Sequence, residues 1–394
     1  MVWPAAGAPN AAHGAAGSGP GMKIERITST SVDLGLQRTH RLAMATMARH
    51  TLVVVQVHTD DGPTGLGEMS VIAGYDAMAA GAAKAVIDEV LAPVLLGQDP
   101  RRLWHAIGLM DRAIKGNLPC KAALEMACVD ITARALGVSA AALFGGAVRD
   151  RLEMVWVLAS GALEQEVQEA REKLDQRTHR HFLVKIGTGD PRANVERAVA
   201  LREALPEAAT VRVDVNQAWD EATARWAIPA LHAGGIAVVE QPVHASAIDA
   251  MRRLAQCSLL TVMADEAVAT SQEAMAYAGT HACDALSIKV SKHGGLLRTQ
   301  QIAHMAAAGG LALFGGTMIE GAIGTSACAQ LYSTLPDLQW GCQLFGPQLM
   351  VDDVATSGLR YEDFTLRVPD GPGFGATLDP DRLAYHQRRA HAGP

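Results

Sequence analysis

Short apolar runs, each closed by a charged residue, recur through the middle of this chain of 394 residues. The stretches between these runs are longer and space their apolar residues as helices do. The residues that close the runs are Lys185, Asp214, Glu240, Asp265, Lys289 and Glu320. Successive members lie 24 to 31 residues apart, which suits one strand, one helix and two short loops. This repeat predicts a parallel α/β array, and in a closed barrel the six side chains would converge at the mouth formed by the strand ends.

The chain before the array has a different pattern. Residues 22–67 include a β-branched run and a turn signal, which predict strands. Residues 34–50 and 68–75 are expected to be loops beside those strands. Residues 77–145 are rich in alanine with helical periodicity. These patterns predict an α+β domain over residues 22–148.

The barrel is expected to occupy residues 149–344. We predict its first strand at residues 153–158 and its last near residues 338–343. Helices are predicted at residues 163–176 and 191–205, between the strands.

Composition excludes several classes of protein. The net charge is −7, the pI is about 6.0, and no basic run predicts a nucleic-acid surface. No window approaches the roughly 18 consecutive apolar residues of a membrane span. The six cysteines include no C-x-x-C pair, so we interpret them as reduced core residues of a cytoplasmic protein.

The first 21 residues are mostly Ala, Gly and Pro, with almost no charge. They lack the basic start and apolar middle of a signal peptide. We therefore predict a disordered tail over residues 1–21 and a functional start at Met22.

The motifs at the strand ends resemble those of the enolase superfamily. They read Asp214-x-Asn216, Glu240-Gln241-Pro242 and Asp265-Glu266, with Lys185 and Lys289 on either side. Residues 40–47, 315–321, 340–341 and 344–347 are similar to the muconate lactonizing enzymes, the muconate and chloromuconate cycloisomerases. This resemblance implies a (β/α)7β modified TIM barrel with an α+β capping domain, completed by residues 345–394. It also implies that the cap closes over the mouth, where Ile72 and Tyr75 would contact substrate.

Three carboxylates at strand ends are suited to one hard cation. Asp214, Glu240 and Asp265 would supply three oxygens to an octahedral site and leave room for water and substrate. A single Asp at a strand end is also typical of a helix cap. The resemblance implies that all three bind Mn²⁺ or Mg²⁺.

The same resemblance implies the reaction, a reversible lactonization of cis,cis-muconate or a substituted muconate through an enolate. Lys185 would be the general acid and base, and Lys289 would face it across the barrel. Glu320 would hydrogen-bond to Lys289, while Asn216 and Glu266 would support the metal ligands. The implied setting is catechol degradation by the β-ketoadipate route, in a cytoplasmic homo-octamer that binds a small dicarboxylate and neither nucleic acid nor membrane.

Two positions depart from the family pattern. Leu183 replaces the first lysine of a Lys-x-Lys motif, and we place it among the residues that contact substrate. Losing that lysine removes a neighbouring positive charge but makes the site drier, and these changes have opposite effects on the acidity of a lysine. His293 replaces an asparagine, for which a structural role in the loop is expected.

Other activities of the superfamily remain as alternatives. A dipeptide epimerase would carry an Asp-x-Asp pair, which residues 320–324 lack, and a mandelate-racemase-like enzyme would carry a histidine near residues 313–320. An o-succinylbenzoate synthase and a catalytically silent homologue also stay open.

Overall fold

The structure is a computed structural model that describes residues 22–43, 45–72, 74–75 and 78–391. The predicted disordered tail lies outside the described residues. Within the described part of the chain, no helix is long and apolar enough to cross a membrane. All six cysteines are free thiols, and every one except Cys257 is buried.

An antiparallel sheet of three strands begins the described chain. Its strands are β1 (Ile24–Arg41), β2 (Thr46–Thr59) and β3 (Gly65–Val71), in the spatial order β1-β2-β3. The loop expected at residues 34–50 is wrong, because most of this segment belongs to the β1–β2 hairpin. Pairing reaches Gly35 opposite Arg49 and resumes at His40 opposite Met47 after an irregularity. The hairpin extends this far because alternate residues of β1 stay buried on one face.

Helices cover one face of this sheet. They are α1 (Ala80–Ala85), a π-helical segment (Val86–Leu91), α2 (Ala92–Leu95), α3 (Leu103–Ala113) and α4 (Leu118–Leu136), followed by a 3₁₀ helix (Ala140–Phe144). Helix α4 is buried from Cys120 to Ala133 because it packs tightly on β3. That approach requires Gly67, since a Cβ there would collide with the carbonyl group of Ala123. The sheet and the helices enclose an apolar cluster of their own, which gives the α+β layer that the sequence predicts.

Seven parallel strands form the barrel sheet, in the same order as in the sequence. After β4 (Arg151–Glu153) they are β5 (Val155–Leu158), β6 (His181–Lys185), β7 (Thr210–Asp214), β8 (Val238–Glu240), β9 (Thr261–Ala264), β10 (Ala285–Ile288) and β11 (Ala312–Gly315). The segment around Cys342 takes the eighth position. The Val155 N–H donates to the Cys342 carbonyl at 2.8 Å, and the Gly315 N–H donates to the Gly341 carbonyl at 2.9 Å. These bonds connect β11 to β5 and close the barrel.

Helices between the strands form the outer layer. They are α5 (Leu163–Asp175), α6 (Pro191–Ala204), α7 (Glu221–Ala233), α8 (Ile248–Cys257), α9 (Ser271–Thr280), α10 (Val290–His293), α11 (Leu296–Ala308) and α12 (Ala322–Tyr332). Local sequence signals set several of their starts. At α6, for example, the Asp190 carboxylate accepts hydrogen bonds from the N–H groups of Arg192 and Ala193. The two predicted helices are confirmed as α5 and α6.

The chain after the barrel returns to the N-terminal sheet. Its elements are α13 (Gly346–Leu349), β12 (Ala355–Ser357), β13 (Arg360–Glu362), β14 (Thr365–Arg367), β15 (Ala376–Leu378) and α14 (Pro380–His391). Strand β14 pairs with both β13 and β4, and α14 lies against β1. The C-terminal segment therefore contacts both the cap and the strand that leads into the barrel.

Candidate active site at the barrel mouth

The charged residues of the repeat gather where the barrel strands end. Lys185, Asp214 and Glu240 end β6, β7 and β8, while Asp265 and Lys289 directly follow β9 and β10. The strand register places Lys185 beside Asp214 and Asp214 beside Glu240. The cavity between them measures only about 30 Å³, far below the roughly 300–1,000 Å³ of a typical small-molecule pocket. A ligand of the size of the expected six-carbon dicarboxylate would therefore require side chains at the mouth to move.

On the β6–β7 side, Asp214 is surrounded by hydrogen-bond donors. The Lys185 ammonium forms an ion pair with the Asp214 carboxylate and donates to Asn216 Oδ1 at 3.2 Å. The Asn216 backbone N–H and side-chain Nδ2 donate to Asp214 at 2.8 and 3.0 Å. Asn216 Nδ2 also donates to Glu266 at 3.0 Å, and burial together with Asp265 and Asp214 raises the Glu266 pKa to about 7. Asn216 and Glu266, which were expected to support the metal ligands, thus contact each other, and Asn216 also contacts Asp214.

On the β9–β10 side, Asp265 receives two ammonium groups. Lys289 Nζ donates to Asp265 Oδ2 at 2.5 Å, and Lys292 Nζ donates to Oδ1 at 2.9 Å. Burial alone would raise the Asp265 pKa, but the two lysines hold it below its usual value. Lys292 also donates to the carbonyls of Asp265 and Ser287, so all three of its protons are used. Sequence reasoning missed Lys292, although its place three residues after Lys289 could have indicated it.

Glu240 lies between these two sides and has an unused oxygen. Its Oε2 is buried without a hydrogen-bond partner among the described residues. Burial and the neighbouring Asp214 and Asp265 raise the Glu240 pKa to about 8. A carboxylate in that state gains from a nearby cation. The glutamine after it accepts hydrogen bonds from the N–H groups of Asp265 and Ala267, which ties β8 to β9.

The carboxylates of Asp214, Glu240 and Asp265 suit a hard divalent cation. Two of them, Asp214 and Asp265, now form ion pairs with lysines, and these ion pairs must break before a metal binds. Within the described ranges, no three Asp, Glu, His or Cys side chains form a metal cluster as they stand. The reason is that Asp214 and Asp265 face Lys185, Lys289 and Lys292. Three buried carboxylates, one with an unpartnered oxygen, remain the expected ligands once the ammonium groups of Lys185 and Lys289 are displaced.

The cap supplies one wall of the cavity, with His40, Leu42, Ile72 and Tyr75. Tyr75 OH accepts a hydrogen bond from Lys289 Nζ at 3.4 Å, and that ammonium lies 4.9 Å from the centre of the tyrosine ring. Both residues that the resemblance placed near the substrate, Ile72 and Tyr75, therefore face the strand ends.

His40 is a second residue that sequence reasoning missed. Arg38 Nη1 lies 3.2 Å from His40 Nδ1, and a guanidinium group can only donate. His40 Nδ1 therefore accepts, the single ring proton is on Nε2, and the ring is neutral. Burial, Arg38 and Lys185 all keep the His40 pKa well below its usual value. Glu169 holds Arg38 in place at 2.6 Å, so His40 gives the cavity wall a hydrogen-bond donor of fixed orientation.

Two other expectations need correction. Glu320 does not bond to Lys289. Its carboxylate accepts instead from the Thr317 hydroxyl and from the Met318 N–H at 3.0 Å, because the chain turns back on itself after β11. Leu183 is fully buried but does not line the cavity, since it lies one inward-facing position below Lys185.

Residues of the barrel domain also line the cavity or support the loops beside it. Thr317, Met318, Ile319, Gln343 and Phe345 line the cavity from the barrel side, and sequence reasoning had given none of them a role. His293 is buried with Nδ1 3.0 Å from the Ala269 carbonyl, to which it donates, in agreement with a structural role.

Comparison with known proteins identifies the family. The chain matches the mandelate racemase / muconate lactonizing enzyme N-terminal domain over residues 26–145 and the enolase C-terminal domain-like family over residues 165–382. It is 39% identical to the chloromuconate cycloisomerase of Cupriavidus necator, over 94% of this chain and all of that protein. It is 41% identical to muconate cycloisomerase 1 of Pseudomonas putida, over 93% of this chain and 99% of that one.

Solved structures agree with these matches. A muconate lactonizing enzyme from Pseudomonas fluorescens, complexed with muconolactone, superposes with a TM-score of 0.91 at 40% identity, over 93% of this chain and 99% of that one. The 2-chloromuconate cycloisomerase of Rhodococcus opacus gives 0.89 at 38% identity, over 92% and 99%. Muconate cycloisomerases of this superfamily use a divalent metal ion. The chain therefore belongs to the mandelate racemase / muconate lactonizing enzyme family of the enolase superfamily.

Proposed function

We propose that this protein is a muconate cycloisomerase, which interconverts cis,cis-muconate or a substituted muconate and the corresponding muconolactone. The observation that carries the proposal is the arrangement at the mouth, where three buried carboxylates lie between two lysines at the ends of consecutive strands. The full-length similarity to muconate and chloromuconate cycloisomerases supports it.

Asp214, Glu240 and Asp265 would hold the divalent ion, Mn²⁺ or Mg²⁺. When bound, the ion stabilises the negative charge that develops on one substrate carboxylate. Its arrival would also release Lys185 and Lys289, because both ammonium groups now neutralise carboxylates that would become ligands. The lysines would then be available to the substrate.

Lactone closure requires one proton from the protein. An oxygen of one muconate carboxylate forms a C–O bond at the distant double bond, and the electron pair moves to make an enolate beside the other carboxylate. Lys185 would donate a proton to the carbon next to that second carboxylate and later regain one from water. The dianion thereby becomes a lactone with one negative charge, and the same lysine would remove the proton in the reverse direction.

The remaining groups would bind and orient the substrate. Lys289 would face the opposite side of the substrate and offset its charge, with Tyr75 keeping the ammonium in position. His40 would donate from Nε2 to an anionic oxygen without adding a charge. Asn216 and Glu266 would keep the metal ligands oriented.

The wider setting is proposed from the family resemblance alone. We infer a role in the degradation of catechol-type aromatics, a cytoplasmic location and a homo-octameric assembly. Light scattering coupled to size-exclusion chromatography measures the assembly directly, and a mass of one or two chains would contradict the octamer.

Turnover with a panel of muconates tests the proposal. Metal-stripped protein should consume cis,cis-muconate, or a methyl or chloro derivative, only after Mn²⁺ or Mg²⁺ is restored. Asp265→Ala should lower kcat/KM about a thousandfold or more, equal to roughly 4 kcal/mol. Asp220→Ala is the matched control, because the Asp220 carboxylate only caps α7 through the Thr223 N–H.

Two outcomes would contradict the proposal. Full activity of Asp265→Ala in the presence of a chelator would show that the metal site is wrongly assigned. Turnover of dipeptides or of an o-succinylbenzoate precursor, without any turnover of muconates, would assign another activity of the superfamily.

A further inference from the structure

The segment that follows β11, residues 316–321, is called the site loop here. Thr317, Met318 and Ile319 of this loop line the cavity. Ile319 has a φ of 65°, in the left-handed region. This conformation is rare for a β-branched residue and costs free energy, so it persists only where surrounding contacts hold it. The contacts that hold the site loop therefore matter to the shape of the substrate pocket.

One set of these contacts comes from the cap. The Ser70 hydroxyl of β3 donates to the Met318 carbonyl, and His50 Nε2 lies 2.8 Å from the Ser70 oxygen. Ser70 and His50 are both buried, and burial lowers the His50 pKa to about 4, so the ring is neutral at physiological pH. His50 thus orients the Ser70 hydroxyl, and Ser70 holds the carbonyl of the peptide bond that precedes Ile319.

A second contact holds the end of the loop. Glu68 Oε1 accepts a hydrogen bond from the Gly321 N–H at 2.6 Å. A Cβ at position 321 would lie 3.1 Å from the other Glu68 oxygen and 3.1 Å from Asp353 Oδ2, so glycine suits this approach. Burial, Asp353 and Glu320 raise the Glu68 pKa well above its usual value.

Both contacts belong to one face of one strand. Glu68 and Ser70 lie in β3 and Ile72 directly follows it, so the three are alternate residues, which point to the same side of an extended chain. The first two hold the site loop and the third lines the cavity beside it. The cap wall and the barrel wall of the pocket are therefore fixed to each other through this strand.

We propose that Ser70 and Glu68 are positioning residues that hold the site loop in its strained conformation and so set the wall that Met318 and Ile319 present to the substrate. The proposal deepens the cycloisomerase function and rests on it for the identity of the substrate. It makes the cap a determinant of substrate fit through the barrel backbone, in addition to its own contacts with substrate.

The test combines steady-state kinetics with hydrogen exchange in the metal-loaded protein. The variants are Ser70→Ala, Glu68→Ala and Glu68→Gln. Ser326→Ala is the matched serine control, since Ser326 is fully buried in α12 and its hydroxyl has no partner among the described residues. Glu125→Gln is the matched glutamate control, because Glu125 is buried in α4 and accepts from the N–H groups of Leu296 and Leu297, away from the site loop.

Loss of either contact should loosen the loop without removing the chemistry. Ser70→Ala and Glu68→Ala should raise KM for the muconate about tenfold, with a smaller change in kcat, since each removes one buried hydrogen bond to the site loop. Amide exchange at residues 318–322 should accelerate by a similar factor, while β11 stays protected. Glu68→Gln should remain close to the wild type, because its amide oxygen still accepts from Gly321. Both controls should leave KM and loop exchange unchanged.

Hydrogen exchange separates this proposal from the proposed function. A wild type that turns over no muconate would refute the function, yet faster loop exchange in Ser70→Ala would still support the positioning role. Wild-type exchange and wild-type KM in both alanine variants would overturn it. A Glu68→Gln variant as impaired as Glu68→Ala would also overturn the proposal. It would show that Glu68 does not act by supplying an acceptor oxygen to Gly321. Ser70→Ala, which removes one oxygen, keeps the test valid if Glu68→Ala does not fold.

Discussion

The two sides of the barrel mouth carry the same pairing of lysine and aspartate but anchor it differently. On the β6–β7 side, Lys185 is the single lysine paired with Asp214 in the described part of the chain, and the amide of Asn216 completes the site. On the β9–β10 side, Asp265 is paired with both Lys289 and Lys292. Lys185 and Lys289 look equivalent in the sequence, but the electrostatic cost of moving each ammonium group away from its aspartate is different.

That difference follows from the cost of leaving a charge buried and unpaired. When Lys289 turns toward a substrate, Lys292 still neutralises Asp265. When Lys185 turns away, Asp214 keeps only neutral donors and needs a cation in exchange. Metal binding and release of Lys185 are therefore coupled more tightly than metal binding and release of Lys289. This coupling is consistent with the proton transfer that we propose for Lys185, which would then become available only when the metal is bound.

The largest expected effect is the loss of proton transfer when Lys185 is replaced. Lys185→Ala should lower kcat about a thousandfold or more, in the range expected for loss of a general acid or base. Lys185→Arg keeps the positive charge and should be almost as inactive, because a guanidinium group does not release its proton. Steady-state kinetics with the best muconate measures both. Near-normal turnover of Lys185→Ala would instead assign proton transfer to Lys289, on the opposite face of the substrate.

The next effect concerns stability without metal. Lys185→Ala should destabilise the metal-free protein by about 3 kcal/mol, since Asp214 is left buried without an ammonium partner. Lys289→Ala should cost less, because Lys292 still pairs with Asp265. Chemical denaturation of the metal-free proteins measures the difference, and Mn²⁺ should reduce it. Equal losses in the two variants would show that Lys292 does not compensate.

A smaller effect comes from removing that second lysine. Lys292→Met should weaken metal binding by about 10- to 100-fold, as expected when a group that orients a ligand is lost. Lys121→Met is the control, since Lys121 is equally buried and pairs with Asp111 and the Ile114 carbonyl outside the site. Calorimetric titration with Mn²⁺ measures both affinities. Unchanged affinity in Lys292→Met would mean that Asp265 is positioned by Gln241 and β9 alone.

The smallest expected effect is a shift of the pH–rate profile when a charge is added on the β6–β7 side of the mouth. The strand register puts Leu183 beside Arg212, and burial lowers the Arg212 pKa to about 10. Leu183→Lys would add an ammonium next to Arg212 and on the same face as Lys185. Repulsion disfavours the protonated forms, so one limb of the pH–rate profile should move to lower pH by about one unit after solvent screening. Leu183→Met tests the change in shape without charge, and a Leu183→Lys profile identical to it would contradict this reasoning.

The spacing and type of residues along the chain were enough to place the barrel strands and their principal charges. A strand, a helix and two loops occupy a nearly constant length, so a regular spacing of apolar runs predicts the strands. The residue that closes each run then falls at a strand end, where parallel strands bring such residues together. That is why the places of Lys185, Asp214 and Glu240 could be read without coordinates, and why the two predicted helices agree with α5 and α6.

The partners of the buried polar groups, in contrast, depend on how the chain packs in three dimensions. Apolar periodicity records which face of an element is buried, but it does not record the partner of a polar atom on another element. Ser70 and Met318 are 248 residues apart, and Arg38 reaches Glu169 across 131 residues. The pairing of Lys292 with Asp265, the neutral ring of His40 and the inward turn of Glu320 all depend on such contacts. They form because a buried polar group must find a hydrogen-bond partner, and the packed fold determines which one is within reach.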